Sequence, residues 1–281
     1  MDRKNRIKIG TVLRLTLAIC LLLLTTGCGE GKKGDFTYSY GVFLNADSSD
    51  ILKMKDYRQI VTDVSYFTAE EIETMHRAGQ EIYAYLNVGS LEEFRDYYNR
   101  YSDLCLDAYE NWPEEKWVDV SQTAWQEHIV SLAGEYAAKG IDGFFIDNCD
   151  VYYHYHKPEI FDGLTCMLRE IHDISANVII NGGDVYVTEY LERYQTASDI
   201  MSGVNQECLF TSIDFVNAGF GENNAEEYQY FEEYIERCAA DHMDVYLLEY
   251  TSDETLISKI RTYCEKNGYF YYISSSIELN I

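Results

Sequence analysis

The chain has 281 residues, with 48 acidic against 22 basic side chains and a formal charge of −26. So acidic a surface repels nucleic acid and anionic lipid headgroups, which excludes nucleic acid as a partner, and it draws cationic partners toward any acid-lined cleft. Only two prolines and no low-complexity block interrupt it, so one globular domain suits the length.

Residues 1–27 place Arg3, Lys4, Arg6 and Lys8 ahead of an apolar run from Leu15 to Leu24, the order of an export signal. The run is shorter than the ~20 apolar residues that cross a bilayer. Small residues then lead into Cys28, as in the lipobox of bacterial lipoproteins, so Cys28 is expected to carry a lipid and hold the protein on the extracytoplasmic side of a bacterial membrane. An ordinary signal peptide or an uncleaved anchor helix is the alternative. Removing residues 1–27 takes away five basic residues and one acidic one, leaving 17 and 47 and a charge of about −30. Residues 28–37, rich in Gly and Lys, form a tether, and residues 38–281 form the working domain.

Eight short apolar runs follow, at 40–44, 60–64, 81–86, 143–146, 178–180, 202–205, 245–248 and 269–273. Their near-continuous hydrophobicity predicts strands buried on both faces, as in a parallel sheet covered by helices. Helical signals lie between them. Thr68 and Glu71 make a capping box before Ile72 and Met75, and Gly79 ends that element. Trp125, Ile129, Leu132, Ala133 and Tyr136 form a stripe that stops at Gly140, and Tyr228, Phe231, Ile235 and Cys238 repeat the pattern in 225–240. Eight such alternations predict a (β/α)8 TIM barrel. No Gly-x-Gly-x-x-Gly follows a strand, which weakens a dinucleotide-binding sheet.

In a barrel the chemistry sits where strands end, and those ends are polar here: Asn45, Asp47, Asp63, Asn87, Ser90, Asp147, Asn148, Asp150, Asn181, Asp184, Asn205, Glu207, Glu249 and Tyr250. Carboxylates and amides together accept from hydroxyl and ammonium groups, which suits a polyhydroxylated or amino-bearing ligand. Asp63 and Asp184 also fit helix caps. Glycoside hydrolysis needs two carboxylates flanking one bond, and Asp147 and Glu207 end strands on different sides of the mouth. Tyr85, Tyr152, Tyr153, Tyr155, Tyr186 and Tyr250 offer flat faces for sugar rings. His154 and His156, two apart in an extended segment without a third ligand, make a weak metal site, so neither metal nor cofactor is expected. No Gly-x-Ser-x-Gly elbow is present. Cys166, Cys238 and Cys264 read as thiols on helices, while Cys149 and Cys208, each just past a candidate acid, are a candidate disulfide.

Several segments in order, TDVSYFTAEEI at 62–72, AGQEIYAYLNVGS at 78–90, WVDV at 117–120, KGIDGFFIDN at 139–148 and VNQE at 204–207, closely resemble glycoside hydrolase family 114, the endo-α-1,4-polygalactosaminidases and Pel-type hydrolase domains. The resemblance implies a (β/α)8 barrel that cleaves α-1,4 linkages within galactosamine-containing exopolysaccharide, with Asp147 and Glu207 as the catalytic acids. Analogy with related α-glycosidase barrels makes Asp147 the nucleophile and Glu207 the general acid and base, with retention of configuration. Asp63, Tyr85, Asn148, Tyr152, Asn181, Asn205, Glu249 and Tyr250 are the expected substrate contacts. Asn87 departs from the family, which often has Ser there. The expected partner is a cationic or amino-sugar polysaccharide, and the expected state a monomer. A catalytically silent sugar-binding lipoprotein and a hydrolase of another polysaccharide are the alternatives.

Overall fold

Eight strands form one parallel sheet that curls until its first and last members lie side by side: β1 (Tyr38–Phe43), β2 (Tyr57–Thr62), β3 (Glu81–Asn87), β4 (Gly143–Asp147), β5 (Val178–Asn181), β6 (Gly203–Glu207), β7 (Asp244–Tyr250) and β8 (Phe270–Ser274). The computed structural model describes residues 34–281 apart from Ala218; the expected export segment and Cys28, the expected site of lipid attachment, lie outside the described residues. Neighbouring strands pair in sequence order, which is the (β/α)8 barrel arrangement.

Side chains alternate across each strand. One set fills the barrel interior, with Tyr40, Val42, Val61, Tyr85, Phe145, Ile179 and Leu248 among its members. The other faces the helices and includes Ile60, Ala84, Ile146, Ile180, Val204 and Leu247. Each Val, Leu, Ile or Phe taken from water contributes about 1.5–3 kcal/mol, so burial on both faces explains why the runs are apolar throughout.

Among the described residues six long helices surround the sheet: α1 (Ala69–Arg77), α2 (Thr123–Ala138), α3 (Pro158–Ile174), α4 (Asp184–Tyr194), α5 (Ala225–Ala240) and α6 (Glu254–Asn267). Thr68 and Glu71 cap α1 reciprocally, and the side chain of Asp253 accepts from the first turn of α6. Trp125, Ile129, Ala133 and Tyr136 of α2 are buried, and the Trp125 indole N–H donates to the carbonyl of Val88 at 2.8 Å. Between β1 and β2 the chain makes two short 3₁₀ turns, Ser48–Asp50 and Met54–Asp56, in place of a long helix. The described chain begins at Gly34 against Ala78 and Gly79, at the N-terminal end of the strands.

Two insertions rise beyond the C-terminal strand ends, and neither shows in the apolar runs. After β3 comes a three-stranded antiparallel sheet of Ser90–Glu92, Glu115–Val118 and Cys105–Ala108. After β6 comes a hairpin of Thr211–Asp214 and Gly219–Glu222. The loops after β3 and β4 touch so closely that a Cβ at Gly89 would lie 1.8 Å from the carbonyl oxygen of Asn148, so position 89 must be glycine. β6 runs two residues farther than its apolar pattern indicates, because the top of the barrel interior is polar and Asn205 and Glu207 remain in the ladder.

The first insertion is pinned by buried charge. Arg95 lies 2.7 Å from Asp63 and 2.5 Å from Glu92, and all three side chains are almost wholly out of solvent. Removing one partner of a buried ion pair strands the other charge, at a cost of ~3–5 kcal/mol. Arg95→Ala therefore lowers the unfolding free energy by about 3 kcal/mol or more in urea denaturation, and Arg95→Lys recovers only part of the loss because one ammonium nitrogen replaces the two guanidinium nitrogens, Nη1 and Nε, that each meet a carboxylate.

Candidate active site

The parallel register brings residues from five strands to one point at the top of the barrel. Asn87 of β3 is level with Asp147 of β4, and Asn181 of β5 with Asn205 of β6. Asp147 and Glu207, the last residues of β4 and β6, point inward on the same side as Phe145 and Asn205 and are only partly open to solvent.

One amide joins them. The Asn181 side-chain nitrogen donates to Asp147 Oδ1 at 3.0 Å and to Glu207 Oε1 at 2.7 Å. Its oxygen accepts from Asn205 Nδ2 at 2.7 Å, and Asn205 Oδ1 accepts from the Tyr40 hydroxyl at 3.1 Å. Since a carboxylate only accepts, the amide orientations are set along the whole chain. Sharing one nitrogen puts the two carboxyl oxygens within about 6 Å of each other, given hydrogen-bond lengths of ~3 Å. Asp147 also accepts from the Tyr85 hydroxyl at 2.9 Å and from the Asn148 backbone N–H at 2.9 Å, and Glu207 accepts from the Tyr250 hydroxyl at 2.8 Å.

Burial raises the pKa of both acids, but they are not equivalent. For Asp147 the donors from Asn181, Tyr85 and Asn148 oppose desolvation. For Glu207 the charge of Asp147 adds to desolvation, against donors from Asn181 and Tyr250. Two unit charges 5–6 Å apart repel by about 3 kcal/mol at an effective dielectric near 20. The pair therefore gives up its two protons one after the other, not together.

Of the residues singled out by sequence, Tyr85, Asn181 and Tyr250 meet the acid pair directly, and Asn205 reaches it through Asn181. Asn148, in the left-handed region at φ 65°, gives its backbone N–H to Asp147 and its amide to Ser90 Oγ at 3.1 Å. Three others sit elsewhere. Asp63 is engaged by Arg95 and accepts from the Ser65 N–H, so it holds loops. Tyr152 is buried against Phe161 and Tyr186, with its hydroxyl on Glu189, behind the mouth. Glu249, next to the inward Tyr250, points out of the barrel and accepts from the N–H groups of Phe210 and Thr211 and from the Thr211 hydroxyl.

The segment around His154 is a helical turn, Val151–His154, and not extended. His154 packs on Trp117 and His156 on Tyr152, so the imidazoles do not share a face. Among the described residues no cluster of His, Cys, Asp or Glu is arranged to hold a metal ion. Cys149 is buried against Gly183 and Cys208 beside Thr211; all six cysteines of the described chain are free thiols, and the candidate disulfide is absent among them.

The insertions supply residues that strand-end reasoning misses. Glu115 accepts from Ser90 Oγ at 2.7 Å. Tyr109 stacks on Trp117, ring centroids 4.3 Å apart, and its phenol feels the charges of Asp147, Asp150, Glu115 and Glu207. Phe220 of the second insertion stacks on Tyr250 at 5.7 Å, and the tips of the two insertions touch through Trp112 and Phe215. The signal available in the sequence was length: residues 88–122 far exceed the ~2–6 residues of an ordinary strand-to-helix connection.

A carboxyl pair across the mouth of a (β/α)8 barrel is the apparatus of a glycoside hydrolase. Sequence comparison gives the narrower answer: the chain belongs to glycoside-hydrolase family GH114, whose model matches residues 31–276. No curated protein matches the sequence. Among solved structures, the glycoside hydrolase domain of PelA from Pseudomonas aeruginosa superposes with a TM-score of 0.74 at 15% identity, covering 86% of this chain and 96% of that one. Ega3 from Aspergillus fumigatus, in complex with galactosamine, gives 0.65 at 15% identity over 88% and 94%. An α-galactosidase from Thermus thermophilus gives 0.56 at 10% identity over 87% and 59%. At such identities the likeness is one of fold.

The acidic interior has a measurable consequence. Glu115, Asp150 and Glu249 are each pushed up to about 7, first by burial, and burial also raises Glu92, Asp147 and Glu207. These native carboxyls bind protons more tightly than the unfolded chain does, so their stabilising contribution is full below the ordinary carboxyl range and is lost as pH rises toward 7. Among the described residues His128, lowered by burial, opposes them between pH 5 and 7. Urea midpoints are expected to fall from pH 5 to pH 7.5.

Proposed function

We propose that the protein is an endo-acting, retaining hydrolase of galactosamine-containing polysaccharide, with Asp147 as nucleophile and Glu207 as general acid and base. The observation that carries this reading is the Asn181 nitrogen shared by both carboxyls. Retaining enzymes keep their carboxyls ~5–5.5 Å apart, whereas inverting ones need ~6.5–9.5 Å to admit a water. Three donors favour the carboxylate of Asp147. Repulsion from that carboxylate keeps a proton on Glu207, ready for the leaving glycosidic oxygen. Once Asp147 is esterified by the anomeric carbon its charge is gone, Glu207 ionises more easily, and it can take a proton from the water that releases the sugar.

Family membership supports an amino-sugar substrate, as does the galactosamine held by the Ega3 structure. The α-1,4 linkage rests on the family resemblance. Export and lipid attachment at Cys28 rest on the basic, apolar and small-residue order of residues 1–28. Charge supports a cationic polymer, since a partly deacetylated galactosaminan is positive and the chain carries 48 acidic against 22 basic side chains.

Asp147→Asn and Glu207→Gln are each expected to lower cleavage of a galactosamine-rich exopolysaccharide by about 10²-fold or more, with the thermal unfolding midpoint preserved and wild-type products appearing as internal oligomers by mass spectrometry. Undiminished cleavage in either variant removes that residue from the chemistry. Attraction of a cationic polymer is screened over ~8 Å at physiological ionic strength. Initial rates on the deacetylated polymer should therefore fall as salt rises, and flat rates would rule out long-range attraction.

A further inference from the structure

We propose that Asn87 is a positioning residue that acts on Asp147 through Tyr85, by fixing which way the Tyr85 hydroxyl proton points. The inference rests on Asp147 being the nucleophile proposed above. Asn87 ends β3, is almost wholly buried, and is level with Asp147 across the sheet. Its oxygen accepts from the Ser90 backbone N–H at 2.9 Å, and because that group can only donate, the orientation of the amide is settled.

The Asn87 nitrogen then lies 2.7 Å from Ser90 Oγ and 3.4 Å from the Tyr85 hydroxyl, donating to both. Neither hydroxyl can give its proton back to a donor. Ser90 Oγ also accepts from Asn148, so its proton goes to Glu115 at 2.7 Å. The Tyr85 proton goes to Asp147 Oδ2 at 2.9 Å. Asn87 is thus a fork that turns two hydroxyls outward as donors to two carboxylates. Without it the Tyr85 hydroxyl is free to rotate, and Asp147 loses part of a hydrogen bond that favours its charged form.

The test is a double-mutant cycle read on the pH profile of kcat/KM, whose acidic limb reports the nucleophile of the free enzyme. A hydrogen bond withdrawn from a carboxylate raises its pKa. Asn87→Leu is expected to move the acidic limb upward by about half a pH unit and to lower kcat a few-fold with little change in KM. Tyr85→Phe moves the limb in the same direction by at least as much, and the double variant goes no farther than Tyr85→Phe alone. Should Asn87→Leu not fold, Asn87→Ser, too short to span both hydroxyls, takes its place with the same expectations. An unmoved limb in the Asn87 variant, or shifts that add in full in the double variant, overturns the proposal. Wild-type cleavage by Asp147→Asn overturns the nucleophile assignment instead, so the two failures are distinct.

Discussion

Everything at the mouth of this barrel depends on two carboxyls being held within reach of one amide nitrogen. Asn181 can serve both only because β5 lies between β4 and β6 in the sheet, with its last residue in register with the polar end of its neighbour. Beneath it the hydrogen-bonded chain continues through Asn205 to Tyr40 inside the barrel. The acid pair is therefore part of a continuous hydrogen-bonded column rooted in a fully buried layer, and its geometry inherits the rigidity of the closed sheet.

That arrangement sets function against stability. The interior is apolar below and charged above, and the upper carboxyls resist ionisation because they are desolvated and close to one another. Such groups destabilise the fold while making acid and base chemistry available near neutral pH. Compensation comes from elsewhere: the aromatic and aliphatic packing of the lower barrel, the capped helices, and the Arg95 pairing that ties the first insertion to the strand ends.

Much of this was legible in the sequence, for a reason that also explains the misses. Buried parallel strands announce themselves as apolar runs, and the first polar residue that ends such a run inside a barrel must sit at the mouth; Asp147 and Asn181 are of this kind. Parity was harder. Glu249 and Tyr250 are adjacent, so only one can face inward, and the run alone does not say which; the pairing of the Glu249 carboxylate with the loop after β6 does. Tyr152 lies behind the mouth because a helical turn, Val151–His154, begins there. Asp63 looked available because its partner, Arg95, lies in an insertion with no strand-like signature. Glu115 and Tyr109 belong to that same insertion, whose antiparallel strands are too short to show a pattern. Its function depends on where it folds back to, which is a tertiary fact.

The polarity of the sheet has one more consequence. Because all eight strands run the same way, every C-terminal end gathers at the acids, and the chain enters at the opposite pole, where Gly34 rests against Ala78 and Gly79. Whatever precedes Gly34 thus joins the barrel at its far end.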